Sequence, residues 1–160
     1  MSYATTDLCD AFAQELQIAD PIFFDFGSTT SFSGPITTLK LHEDNTLVRD
    51  ALETDGKDGV LVVDGGGSTR CALLGGNLAV LAEKNNWQGV LVYGCIRDRE
   101  EIEETTVGVK ALAPHPLKSN KQGIGQKDVP VRFAGVNWIP GYYLYADKDG
   151  IVLSEKALSL

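Results

Sequence analysis

Val60-Leu61-Val62-Val63 and Val90-Leu91-Val92-Tyr93 are two short apolar runs, thirty residues apart, with no polar face in either. A strand that is apolar on both sides must be covered on both sides, which is the habit of strands inside a parallel sheet. Thirty residues is the length of one βαβ unit. The intervening segment supplies a helix for it, because Leu78, Leu81 and Ala82 share one stripe behind a Gly75-Gly76-Asn77 start. Such a unit is right-handed, with its two strands parallel and neighbouring. The chain is therefore expected to be α/β.

The flanking segments add elements around this unit. Residues 6–18 place Leu8, Cys9, Phe12, Ala13 and Leu16 on one helical stripe, with Thr6 as N-cap and Asp20-Pro21 as the stop. Residues 27–35 read as a Ser/Thr/Gly loop and 36–41 as a strand. Asn45 is expected to cap a short helix. Asp98 to Thr106 reads as a short acidic helix and 107–113 as a strand. Residues 118–126 read as a flexible loop. Three short strands follow, at 129–133, 142–146 and 150–153, the last two joined by the turn Asp147-Lys148-Asp149-Gly150. Residues 1–160 contain no linker or low-complexity tract, so a single domain is expected.

Charge narrows the function. Fourteen Lys and Arg stand against 22 Asp and Glu, a net charge of −8. Without a basic stripe, direct binding to nucleic acid is not expected. No apolar run approaches the ~18 residues of a membrane span, and the opening MSYATTDLCDAF lacks a signal peptide's basic and apolar regions. The expectation is a soluble, cytoplasmic protein. Cys9, Cys71 and Cys95 are odd in number and show no CxxC or Cys/His spacing, so they read as reduced thiols.

In open α/β sheets, ligands sit beyond the carboxyl ends of parallel strands. Here those ends carry Asp64-Gly65-Gly66-Gly67-Ser68 and Gly94-Cys95-Ile96-Arg97-Asp98. A helix opening near Gly76 would turn its free N–H groups toward the same edge and favour an anion. Arg97 offers a planar fork for a carboxylate or phosphate. Asp98 offers a hard oxygen, and Mg²⁺ often takes only one or two protein carboxylates. The glycine triple alternatively reads as a tight strand exit, since neither glycine cluster fits a nucleotide motif. His42 and His115 are isolated, no Ser/His/Asp triad can be assembled, and Glu100 to Glu104 reads as a solvated face. Trp87, Trp138, Tyr142, Tyr143 and Tyr145 read as core and interface aromatics.

Residues 60–98, VLVVDGGGSTRCALLGGNLAVLAEKNNWQGVLVYGCIRD, resemble the signature stretch of the RraA-like family. That family includes the regulator of ribonuclease E activity and the metal-dependent (class II) 4-hydroxy-4-methyl-2-oxoglutarate aldolases. TTDLCDAF, FGSTTSFSGPITTLK, GIGQKDVPVRFAGV and YLYADKDGIVLSE also resemble it, in order, over nearly the whole chain. The resemblance implies a compact α/β/β sandwich similar to the swivelling phosphohistidine domain, assembled as a homotrimer with active sites at subunit clefts. It implies that Gly75, Gly76, Asn77 and Leu78 receive a small 2-oxo acid. Arg97 would hold that substrate, and Asp98 would bind the divalent cation, Mg²⁺ or Mn²⁺. The implied activity is cleavage of 4-hydroxy-4-methyl-2-oxoglutarate-type acids to pyruvate, with oxaloacetate decarboxylation. The alternative is a non-catalytic inhibitor of ribonuclease E. The regulator is expected to lack the aspartate, so Asp98 favours the enzyme. Active aldolases are expected to carry an acid where this chain has Gly76.

Overall fold

The computed structural model describes residues 2–160. In chain order the elements are α1 (Thr5–Phe12), a 3₁₀ turn (Ala13–Glu15), β1 (Leu16–Ile18), β2 (Phe24–Asp25), β3 (Phe32–Lys40), α2 (Thr46–Leu52), β4 (Val60–Asp64), β5 (Ala72–Leu74), α3 (Gly76–Lys84), β6 (Gly89–Ile96), α4 (Arg99–Glu103), β7 (Gly108–Pro114), β8 (Gln126–Lys127), β9 (Val131–Phe133), β10 (Val136–Trp138), β11 (Tyr143–Asp147) and β12 (Gly150–Ser154). Among the described residues no helix is long and apolar enough to cross a membrane.

The two apolar runs are neighbouring parallel strands, as expected, with Val60 opposite Gly89 and Val63 opposite Val92. β3, β4, β6 and β7 lie side by side in sequence order, all parallel. Right-handed crossovers between strands that advance in one direction put every crossover helix on one face. That is where α2, α3 and α4 sit. Val48, Leu52, Leu78, Ala79, Ala82 and Ile102 from those helices pack on Leu61, Val63, Val90 and Val92.

The opposite face is covered by β-structure. Val60, Val62 and Leu91 meet the β9–β10 hairpin and the inner residues of β11 and β12. Tyr93, Phe133 and Trp138 form a continuous stack there, with 4.7 Å between centroids at each step. Trp138 is fully buried and its indole N–H donates to the Phe133 carbonyl. The result is a helix layer, a mixed sheet and a second β layer. Val60, Leu61, Val62 and Val63 are each completely buried, worth roughly 1.5–3 kcal/mol per side chain.

Three local expectations are corrected. The first helix stops at Phe12, and Leu16–Ile18 turns into an edge strand on β12. Its start is held by Asp147, 142 residues away, which accepts from both the N–H and the hydroxyl of Thr5, so Thr6 is not the cap. At α2 the Asp44 carboxylate, not the Asn45 side chain, accepts the Thr46 N–H. Asn45 donates instead to the Leu73 carbonyl. Finally, residues 118–126 are tied down. Asp44 accepts the N–H groups of Gln122 and Ile124, and the buried Ser119 hydroxyl bonds to Asn45.

Candidate active site

β4, β5 and β6 end at one edge of the sheet, and the chain there is shaped by glycine. Gly66 and Gly67 have φ of 68° and 72°, a region that L side chains rarely adopt. The Gly65 and Gly67 N–H groups both donate to the Tyr93 carbonyl, and Gly66 donates to the Asp64 side chain. The glycine triple is thus a tight strand exit whose donors are already used. It lets the chain turn back into β5, which runs beside the end of β6 and delivers Gly75 to the opening of α3.

At that opening the expected residues converge. A cleft of about 100 Å³ is lined by Gly75, Asn77, Leu78, Arg97 and Asp98, together with Asn45, Arg49, Ala72, Lys118 and Lys121. The first intrahelical bond of α3 runs from the Ala79 N–H to the Gly75 carbonyl, and Gly76 donates to Asp98 at 3.0 Å. Among the described residues the N–H groups of Asn77 and Leu78 have no protein acceptor. Two free donors at the positive end of a helix dipole make an anion cradle.

Arg97 is anchored through its N–H to the Leu74 carbonyl, which fixes its stem beside Gly75, and its guanidinium reaches the Pro116 carbonyl at 3.4 Å. Asp98 sits in the left-handed region, φ 61° and ψ 50°, just before α4. Aspartate tolerates that region better than most residues. Its Oδ2 holds the Gly76 N–H. Oδ1 has no protein donor among the described residues, on an exposed side chain. Among the described residues no three His, Cys, Asp or Glu gather as a metal cage. One exposed carboxylate oxygen fits a cation that keeps most of its waters, as Mg²⁺ does.

Gly76 differs from its expected role. It does not line the cleft: Asp98 takes its N–H, and the Glu101 carboxylate fills the space beyond its Cα. The residues that the sequence reading missed are cationic. Arg49 on α2 and Lys118 and Lys121 on the pinned loop join Arg97 around Asp98. They lie 20 to 49 positions from Asp98 in the chain, and no local spacing marks them. His115 is not part of the cleft, and its Nδ1 accepts the Leu117 N–H within a turn.

The family model described as RraA-like, Aldolase/RraA, matches residues 5–153. The chain belongs to the RraA-like family. A relative from Alkalilimnicola ehrlichii named "Putative 4-hydroxy-4-methyl-2-oxoglutarate aldolase" is 59% identical over 99% of this chain and 98% of its own. Among solved structures, the RNA-processing inhibitor RraA from Thermus thermophilis superposes with a TM-score of 0.96 at 47% identity, covering 99% of this chain and 96% of that one. A structure from Geobacillus kaustophilus, named as an S-adenosylmethionine:2-dimethylmenaquinone methyltransferase, gives 0.94 at 49% identity, covering 98% and 97%. These matches support the mixed α/β fold that the two apolar runs imply.

Proposed function

We propose that this RraA-like chain is a divalent-metal-dependent carbon–carbon lyase of cytoplasmic 2-oxo acids. Its reaction would release pyruvate from 4-hydroxy-4-methyl-2-oxoglutarate-type substrates and CO₂ from oxaloacetate. The observation that carries the reading is local charge. A chain of net charge −8 surrounds one exposed carboxylate with Arg49, Arg97, Lys118, Lys121 and two free helix N–H groups. A cluster of charge that is mostly of one sign concentrates ligands of the opposite sign. A dicarboxylate is the substrate class that such a cleft takes.

Arg97 would grip the carboxylate next to the 2-oxo group with two parallel hydrogen bonds. Lys118 and Lys121 would neutralise the distal carboxylate. The Asn77 and Leu78 N–H groups would face the negative charge that grows as the enolate of pyruvate forms, and they would need no reorganisation when it does. A cation held by Asp98, Mg²⁺ or Mn²⁺, would supply Lewis-acid polarisation of the 2-oxo group. The family's aldolase names and the shape of the cleft support this reading together. Its test is pyruvate release from oxaloacetate with Mg²⁺ and with excess chelator. Metal-dependent release is the expected result, and equal rates in chelator would overturn it.

The second reading, inhibition of ribonuclease E through protein contact, is favoured by the likeness to the Thermus RNA-processing inhibitor. It has no need of Asp98, so a variant that loses lyase activity yet still inhibits would separate the two.

We also propose a homotrimer. β1 and β2 are the two ends of the sheet path, and both border one cavity of about 640 Å³. Ile18 and Phe24 stand there 58% and 65% exposed, on edges of a kind that proteins ordinarily cover. Tyr142 and Tyr143 are half-buried within their own chain and do not contribute this argument. Sedimentation is expected to give three times the 17.2 kDa chain mass, and a monomer at micromolar concentration would overturn the assembly.

A further inference from the structure

The cleft has two walls that come from distant parts of the chain. One is β5 with what it delivers: the Leu74 carbonyl holds the Arg97 N–H, and the Gly75 carbonyl takes the first bond of α3. The other is the loop that carries Lys118 and Lys121. Ser119 lies between those two lysines, yet it is only 4% exposed and does not line the cleft. Its hydroxyl donates to the Asn45 side-chain oxygen at 2.8 Å and accepts the Asn45 main-chain N–H at 3.1 Å. Asn45 does line the cleft, and its amide donates in turn to the Leu73 carbonyl at 3.2 Å. A carbonyl only accepts, so the amide nitrogen must face Leu73 and the amide oxygen must face Ser119. A chain of hydrogen bonds therefore runs from the lysine loop through Asn45 to the middle of β5.

We propose that Ser119 is a positioning residue: through Asn45 it sets the spacing between the Arg97 wall of the cleft and its lysine wall, and with it the reach of dicarboxylate that the cleft accepts. The inference rests on reading the cleft as the site of a 2-oxo acid lyase. The loop has other anchors, but they act elsewhere. The Ala72 N–H holds the Leu117 carbonyl before the first lysine, and Asp44 holds Gln122 and Ile124 after the second. Between the lysines the Asn120 N–H donates to the Glu43 carbonyl, which fixes the backbone there. The Ser119 bond is the one that leads on through a cleft-lining side chain to β5. Without the hydroxyl the Asn45 oxygen loses its donor, and the amide is free to turn away from Leu73. Displacements of about 1 Å are enough to matter in a site that orients a reacting molecule.

The test is Ser119→Ala in the full chain, assayed with Mg²⁺ on two compounds of different reach. Oxaloacetate has a carboxylate for each wall. Pyruvate has a single carboxylate for the Arg97 wall, and exchange of its methyl protons in D₂O reports enolate formation. KM for oxaloacetate is expected to rise about fivefold to tenfold, the loss of about one hydrogen bond, with kcat within about twofold of wild type. KM for pyruvate exchange is expected to stay at the wild-type value. Asn45→Ala should weaken oxaloacetate at least as much. Adding Ser119→Ala to it should change nothing further, because both residues act through one chain of contacts. Equal losses on oxaloacetate and pyruvate would mean a general loosening of the fold and would overturn the inference. An unchanged oxaloacetate KM, or additive effects in the double variant, would overturn it too, with the lyase reading left standing. A wild type that processes neither compound would overturn the lyase reading itself.

Discussion

Asp98→Asn is expected to cut metal-dependent pyruvate release by about 100-fold or more while leaving the fold intact. The substitution is unusually clean. Asparagine enters the left-handed region at least as readily as aspartate, so φ 61° costs nothing new. Its side-chain oxygen can still accept the Gly76 N–H that Oδ2 accepts now. Only the charge is lost, and charge is what holds a hard cation. Removing an outer-shell partner costs about 10–100-fold in affinity or activity, and a direct ligand should cost at least the upper end of that range. The measurement is kcat/KM for oxaloacetate at saturating Mg²⁺, with thermal unfolding alongside. Unchanged kcat/KM in a folded variant would remove Asp98 from the reaction.

The parts of this site differ in how readable they were from sequence, and the reason is range. Arg97, Asp98 and the Gly75 to Leu78 opening follow a strand end and a helix start, so local patterning places them at one sheet edge. Arg49, Lys118 and Lys121 reach the cleft only through tertiary packing. Likewise the helix layer was foreshadowed by the apolar stripe of α3, whereas β5, β10 and the end of α1 were not. β5 is three residues long, and Leu16–Ile18 fits a helical stripe as well as it fits the edge of β12. Thr5 is held by an acid at the other end of the chain, which no window around residue 5 contains. At Gly76, where the resemblance implies an acid, a side chain has no room because Glu101 packs over the Cα, a contact that forms only when α3 and α4 come together.

Asp44 gives the largest expected effect on stability. Its carboxylate is buried and accepts four hydrogen bonds, from the Thr46 N–H and hydroxyl and from the N–H groups of Gln122 and Ile124. Burial by itself would push the carboxyl up. The donors outweigh it, and the group is held far below the ordinary carboxylate range. Asp44→Ala removes a helix cap worth about 1 kcal/mol and strands two loop amides at about 1 kcal/mol or more each. A loss near 3 kcal/mol follows, measurable by urea unfolding at pH 7. The same change frees the loop that carries Lys118 and Lys121, so KM for a dicarboxylate should rise more than kcat falls. The pH dependence has a definite sign. A carboxyl depressed on folding stabilises fully above its unfolded pKa near 3.9, and that stability drains away as pH falls toward the folded value. Wild type should therefore lose its advantage over Asp44→Ala progressively below about pH 5. An advantage that stays constant from pH 7 to pH 3 would show that Asp44 is not held ionised by its four donors.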